Sequence, residues 1–523
     1  MAVFHKLISI FLFAILFSCK NHESDTIVVS SKNIDISIVD DSKVYKENYR
    51  PQFHFSPQKN WMNDPNGLVY YKGKYHLFYQ YYPDDIVWGP MHWGHATSKD
   101  LTHWNHRKIA LFPDQLGMIF SGSCVIDDQN SSGFGTKKNP PMVAIFTYHN
   151  MKGEKAGQNN YQSQGLAFSL DEGENWTKFN GNPIIPNSGF KDFRDPKVFW
   201  NTDKKQWNLV LVAGDCVQIF SSKNLIAWHF ESEFGKQNGA HGGVWECPDL
   251  FEIEIEKTAQ KKWVLMVSLN PGAPKGGSGT QYFVGDFDGK TFKTNQETTK
   301  WIDFGTDNYA GSTFNNEPNG RRIFMGWMSN WQYAMKTPTK TWRSAMTLPR
   351  ELILTKSNTD FVLKNKVIQI FKNQERIVFY KEKFQINQKA IIKYPNFNQS
   401  EISFDAANKD LKLVFTNVVQ DSLILNYESK QNRFSIDRTH SGLVDFESNF
   451  GKLKHQTFLK KISSNKLQFQ IILDWSSIEL FLNDGEYSFT EQIFPNKPFS
   501  TLTIFSNQKQ INHFKISAIH SIW

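Results

Sequence analysis

The stretch Trp61-Met62-Asn63-Asp64-Pro65-Asn66-Gly67 sets the reading of the whole chain. Its Asp-Pro-Asn-Gly core has the residue order of a tight turn: Asp first, Pro second, Gly fourth. A strand pair follows, Leu68-Val69-Tyr70-Tyr71 and Tyr75-His76-Leu77-Phe78-Tyr79, joined by Lys-Gly-Lys. The same order returns at Asp195-Pro196-Lys197, which leads into Val198-Phe199-Trp200 and then Trp207-Asn208-Leu209-Val210. It returns again at Glu246-Cys247-Pro248-Asp249, before Leu250-Phe251-Glu252-Ile253 and Trp263-Val264-Leu265-Met266. Each unit is an acid, a proline, a strand, a turn and a second strand.

The later parts of the units repeat as well. Ser98-Lys99-Asp100-Leu101-Thr102-His103-Trp104 matches Ser222-Lys223-Asn224-Leu225-Ile226-Ala227-Trp228, and both read as outer hairpins. A small antiparallel sheet cannot bury both faces alone, so repeated sheets must stack on one another. Radial stacking makes a β-propeller. Five units are expected, starting near Asp64, Phe120, Asp195, Glu246 and Tyr309. After about residue 355 the acid-proline starts stop, and short alternating runs such as Leu411-Lys412-Leu413-Val414-Phe415 predict a β-sandwich. The fold class is therefore all-β: a five-bladed propeller followed by a C-terminal sandwich.

Composition agrees. A chain of 523 residues implies more than one domain. Aromatic residues make up 15%, which suits β structure and also sugar-binding surfaces. The net charge of +8 is spread thinly, with no basic block interleaved with aromatics, so nucleic acid is not an expected partner. Four cysteines (Cys19, Cys124, Cys216 and Cys247) form neither a disulfide framework nor a zinc spacing, and no metal or cofactor is expected.

At the start, a short positive region precedes an apolar run from Leu7 to Phe17, too short to span a bilayer and suited to an export signal. The run ends at Leu16-Phe17-Ser18-Cys19, which resembles a bacterial lipoprotein signal with Cys19 as the lipidated residue. The expected division is a signal over 1-18, a flexible tether over 19-47, the propeller over 48-352 and the sandwich over 353-523. The protein is expected to be exported, either lipid-anchored at the outer membrane or cell surface, or periplasmic.

In a propeller the innermost strands line a central channel, so equivalent positions of successive units face one axis. Asp64 and Glu246 each stand four residues before the first apolar residue of their strand, and Asp195 stands three before its own. The reading therefore places Asp64 and Glu246 at matching positions and Asp195 one residue out of step. Three carboxyl groups converging without a histidine cluster suggest glycoside hydrolysis, in which one acid attacks the anomeric carbon and another protonates the leaving oxygen. Asn63 and Asn66 are expected to keep Asp64 ionised, and the apolar neighbours of Glu246 fit it to be the acid.

The blocks WMNDPNG, FRDPK and WECPDLF, in that order, resemble the signatures of glycoside hydrolase family 32, the invertases, inulinases and levanases. Gln80, the run Trp88 to His95, Phe120-Ser121-Gly122-Ser123, Gly326-Trp327-Met328 and Trp342 to Arg350 carry the likeness further, as does Asp474 to Phe481 in the sandwich half. The resemblance implies that Asp64 is the nucleophile, Glu246 the general acid and base, and Asp195 the transition-state stabiliser. Asn63, Gln80, Trp88, Phe120, Ser121, Arg194 and Trp327 would bind the fructose unit. It implies retaining hydrolysis of fructans or sucrose, with exo action preferred; endo-levanase or endo-inulinase action, fructosyl transfer and a non-catalytic fructan-binding surface protein are the alternatives. One departure stands at Asn308, where the family block usually has an aromatic.

Overall fold

The computed structural model describes residues 26–29, 40–357, 360–368, 375–452, 454–459 and 465–523. The apolar leader and Cys19, read above as signal and lipidation site, lie outside the described residues. From Asn60 to Val367 the described strands form five mainly antiparallel sheets of four or five strands. Their first strands are Asn60–Tyr71, Met118–Ile126, Phe193–Asn201, Val244–Glu254 and Tyr309–Thr313. The sheets pack face to face, so a middle strand such as Met142–His149 is buried at every position rather than alternating. The short strand Trp342–Arg343, which follows the fifth inner strand, pairs parallel with Asn60 and Trp61 of the first sheet. This pairing ties the end of the ring to its beginning.

The outer hairpins fold as their repeated sequence suggests. The Asp100 side chain accepts the backbone N–H groups of Thr102 and His103 at 2.9 and 2.8 Å, and Asn224 accepts those of Ile226 and Ala227 at 3.1 and 2.9 Å. Between them Leu101 and Leu225 adopt φ of 65° and 64° and are both buried. A short polar side chain holding the next turn of backbone makes this left-handed step affordable.

The sandwich packs a seven-stranded sheet on a six-stranded one around a single apolar core. Two boundaries differ from the sequence reading. Thr26–Val28, inside the expected tether, is a strand paired parallel with Ile391 to Lys393 at the edge of the seven-stranded sheet. The β-branched run Thr26-Ile27-Val28 is a good edge strand even within a polar stretch. The expected boundary after 352 falls inside a hairpin, because Arg350–Ser357 pairs with both Arg322 to Phe324 and Asp360–Val367. The change in composition near 355 reflects the exposed outer strands of the fifth sheet, and the propeller sheet continues to Val367.

Buried ion pairs join the two halves. Arg350 donates to Asp303 and to Glu479, each at 2.8 Å, and Arg438 of the sandwich donates to Asp307 at 2.7 Å. The chain around Asp303 to Asp307 is bonded to the sandwich strand Tyr487–Gln492 through Phe304 N to Ser488 O and Asp307 N to Thr490 O.

Candidate active site

The Asp-Pro-Asn-Gly segment is not a turn. It lies within one twelve-residue strand that is broken by two bulges, between Met62 and Pro65 and between Asn66 and Val69. Between its pairing at Asn60 and Trp61 and its bridge from Val69 to Asn315 this strand borders the channel, so the missing N–H of Pro65 costs no bond on that side. Gly67 takes φ of 54° at the second bulge, and a Cβ there would meet the Phe78 ring at 2.6 Å. The proline and glycine that read as turn formers are bulge formers.

All five inner strands carry a bulge at the same level: Met62 to Pro65, Ile119 to Gly122, Arg194 to Lys197, Glu246 to Asp249 and Tyr309 to Ser312. This common landmark corrects the expected register. Glu246 is the last residue before its bulge, Asp195 is the first bulged residue and Asp64 the second. Asp64 and Glu246 are not equivalent; the three acids are staggered by one residue each. Asp195, Cys247 and Ala310 share the first bulged position and share the left-handed backbone, with φ of 63°, 46° and 52°. Stagger plus bulge turns three different side chains toward one point, which simple alternation along a regular strand would not do.

The three acids line one cavity of about 340 Å³. Asp64 Oδ1 accepts Asn63 Nδ2 at 2.9 Å and its Oδ2 accepts Ser121 Oγ at 2.7 Å. Trp61 Nε1 in turn holds Asn63 Oδ1 at 2.8 Å, fixing which end of the amide faces Asp64. Glu246 Oε1 accepts Arg194 Nη2 at 3.0 Å, and Oε2 accepts the Tyr309 hydroxyl. Asp195 Oδ2 accepts the backbone N–H of Cys247 at 3.0 Å. The Cys247 thiol lies 3.6 Å from both Asp64 Oδ2 and Asp195 Oδ2. Burial, reinforced by the three surrounding carboxyl groups, pushes that thiol well up, so it stays protonated, with one S–H to offer to either acid.

Burial is also the main force on the acids. It raises Asp64 above the usual carboxylate range, with Glu246 adding to the effect and the Asn63 and Ser121 hydrogen bonds opposing it. Of the two amides expected to keep Asp64 ionised, Asn63 acts in that sense, though burial outweighs it. Asn66 takes no part: its Oδ1 accepts Gln80 Nε2 at 2.8 Å. Asp195 is pushed up to about 7 by burial, with Arg194 opposing and Glu246 and Asp64 adding. Arg194 ties the group together, pairing with Asp192 at 2.7 Å as well as with Glu246.

Asn63, Asp64, Gln80, Trp88, Phe120, Ser121, Arg194, Asp195 and Glu246 all line this cavity. Trp327 does not. It is fully buried behind Trp61 and Trp331, with ring centroids at 6.1 and 4.9 Å, and supports the wall that Trp331 presents. Trp331, not among the expected binding residues, is a lining residue. Sequence reasoning also missed His149, Glu154, Tyr161, Gln162 and Asp192 on the second-sheet side. His149 stacks on Phe120 at 4.2 Å and pairs with Glu154 at 3.1 Å. The signal for these was the polar residues His149 and Gln162 at the channel ends of their strands. Asn308 points away from the cavity, its Nδ2 donating to Asp303 at 3.2 Å, while its neighbour Tyr309 reaches Glu246.

Below the acids the channel is plugged. Lys197 pairs with Asp249 at 3.2 Å and donates to Ser312 Oγ at 2.9 Å, all three being the first residues after their bulges.

Residues 54–365 match the model of the glycosyl hydrolases family 32 N-terminal domain, and residues 367–520 match that of the family 32 C-terminal domain. A levanase of Bacillus subtilis is 43% identical over 92% of this chain and 72% of its own length. An extracellular exo-inulinase of Aspergillus niger is 39% identical over 86% of this chain and 90% of its own. The crystal structure of an exo-inulinase from Aspergillus awamori superposes with a TM-score of 0.84 at 34% identity, covering 92% of this chain and all of that one.

Proposed function

From the premise that the chain belongs to glycoside hydrolase family 32 and is a glycoside hydrolase, we propose that it cleaves β-fructofuranosidic bonds of fructans and sucrose with retention, releasing terminal fructose. The observation that carries the residue roles is the pair Asp64 and Glu246. Each has both carboxyl oxygens held by donors on one side of a shared cavity.

Asp64 attacks the anomeric carbon of the fructose unit, and the bond from that carbon to the bridging oxygen breaks. The proton carried by Glu246 goes to that oxygen, and the remaining sugar leaves. Glu246, now a carboxylate, takes a proton from water, whose oxygen displaces Asp64 from the fructosyl ester. Asp195, as a carboxylate, accepts hydroxyl hydrogens of the ring and balances the positive charge that develops on it. Arg194 sets Glu246 in place from one side and Tyr309 from the other. Exo action is supported by the likeness to the exo-inulinases over most of the chain. The levanase and exo-inulinase relatives act on the polymers their names give, and we extend that substrate range to this chain.

Chromatography of early products from levan and from inulin tests the proposal. Fructose alone is expected from both polymers. A ladder of oligosaccharides overturns exo action, and products of transfer at high sucrose overturn hydrolysis as the main reaction. Export and lipid attachment through Cys19 rest on the leader sequence and are tested by fatty-acid labelling of the wild type against Cys19→Ala.

A further inference from the structure

The channel has a second cavity, of about 320 Å³, at its opposite mouth. It opens where the inner strands end, near Asn201 and Glu252, whereas the catalytic residues stand where those strands begin. Seven residues of extended chain separate Arg194 from Asn201, a span of roughly 20 Å. The Lys197–Asp249 plug divides the two cavities.

Two polar groups at this mouth have atoms that lack partners: Asp249, buried in the cavity floor, and Arg322, in its wall. Asp249 is fully buried. Its Oδ2 accepts Thr313 N, Thr313 Oγ1 and Ser312 Oγ at 2.6, 2.8 and 3.1 Å, but its Oδ1 has no partner among the described residues. Arg322 donates from Nε to Glu252 O at 3.0 Å and lies 5.5 Å from the centre of the Phe251 ring. Its two terminal nitrogens have no hydrogen-bond partner among the described residues. Buried polar groups normally find partners, so an unpaired acceptor in the floor of a cavity and a fork of donors in its wall point to a ligand that serves both.

Charge narrows the choice. An anion would satisfy Arg322 but meet Asp249, Asp203 and Glu317 with like charge; a cation would satisfy Asp249 but meet Arg321 and Arg322. A hydroxyl both donates and accepts, so adjacent hydroxyls satisfy both groups at no electrostatic cost. The walls add aromatic faces. Trp200 is 39% exposed at the rim and is braced edge-on against buried Trp207 at 5.0 Å, and half-buried Trp263 lies across the cavity. An aromatic face takes the C–H side of a sugar ring while its hydroxyls take the polar groups.

We propose that this far mouth is a second carbohydrate site, holding sugar units of a fructan chain away from the catalytic pocket. It has no paired free acids and is a binding site, not a second centre of hydrolysis. That the sugar belongs to a fructan rests on the function proposed above; that the ligand is a sugar rests on the cavity.

The test uses the full chain carrying Asp64→Asn, titrated calorimetrically with a short inulin oligosaccharide. A binding event that disappears when Trp200→Ala is added, and again when Arg322→Met is added instead, is the expected result. An isotherm unchanged by both substitutions overturns the site. In the wild-type background, Trp200→Ala should leave sucrose hydrolysis unchanged, which also shows that the fold is intact, and lower kcat/KM on polymeric levan several-fold. Equal loss on both substrates would contradict a remote site. Wild-type enzyme without activity on sucrose or levan would sink the proposed function, while the calorimetric comparison would still decide whether the cavity binds sugar.

Discussion

Arg438 of the sandwich donates from Nη1 to Asp307 Oδ2 over 2.7 Å, two residues before Tyr309, whose hydroxyl holds Glu246. The Arg438 guanidinium is fully buried, also pairs with Glu491 at 2.9 Å and receives the Tyr333 ring beneath it. The C-terminal half thus anchors the segment that sets the position of the acid. Arg438→Met leaves Asp307 buried without its cation and Glu491 with only His455, a loss of about 3–5 kcal/mol. The expected result is a clearly lower thermal unfolding midpoint, with kcat reduced more than KM is raised. An unchanged midpoint would show that the sandwich is not a structural partner of the site.

Ser121 donates to the nucleophile, and its removal should be felt in both rate and pH. A hydrogen bond to a charged group contributes about 1.5–3 kcal/mol, so Ser121→Ala should lower kcat/KM by roughly 10- to 100-fold. The same bond opposes the burial that raises Asp64. Without it Asp64 is raised further, the ionised form is lost at higher pH, and the acid limb of the kcat/KM profile moves toward neutrality. A profile that falls in height without moving would contradict the direct bond.

Asp195 makes a stability prediction with a definite sign. Its carboxyl is raised from 3.8 to about 7 in the folded chain, mainly by burial. Between those values the folded state binds more protons than the unfolded state, so the group's contribution to stability falls as pH rises. Asp195→Asn removes that dependence. The variant should be inactive, yet unfold at a higher temperature than the wild type at pH 8, and the advantage should shrink toward pH 5. A variant less stable than wild type at pH 8 would show that Asp195 is stabilised as an anion.

His54 behaves in the opposite sense. Burial would lower it, but hydrogen bonds to Asp474 at 2.8 Å and Glu479 at 3.1 Å outweigh burial and push it up to about 9. The stability it contributes is fully present below about pH 6.5, the usual histidine value, and is lost as pH rises through 9. Scanning calorimetry should therefore show the wild type losing stability between pH 7 and 9, and His54→Gln losing less across the same range.

Much of this architecture could be read in the chain itself. The acid-proline starts and the paired Ser-Lys-Asp and Ser-Lys-Asn turns mark strands that do stack as repeated sheets, because turn chemistry and alternation act locally. The convergence of Asp64, Asp195 and Glu246 was also legible. Their register was not. Counting to the first apolar residue made Asp64 and Glu246 equivalent, whereas the bulges, which depend on pairing with the neighbouring strand, stagger all three. Tyr309 shows the same limit: nothing local to Asn308-Tyr309-Ala310 reveals that its hydroxyl meets an acid 63 residues earlier. Trp331 rather than the expected Trp327 lines the cavity for a similar reason, since only packing decides which indole faces it.

The central claim is that Asp64 forms a bond to fructose, and trapping that bond tests it most directly. In Glu246→Gln enzyme the second step lacks its base, so a fructoside with a leaving group that needs no protonation should load the enzyme and stall. Peptide mass spectrometry after acid quench is expected to place a fructosyl group on the peptide containing Asp64, and to find none when Asp64→Asn is added. An adduct on Asp195, or turnover at wild-type rate with no adduct on any carboxylate, would contradict the account.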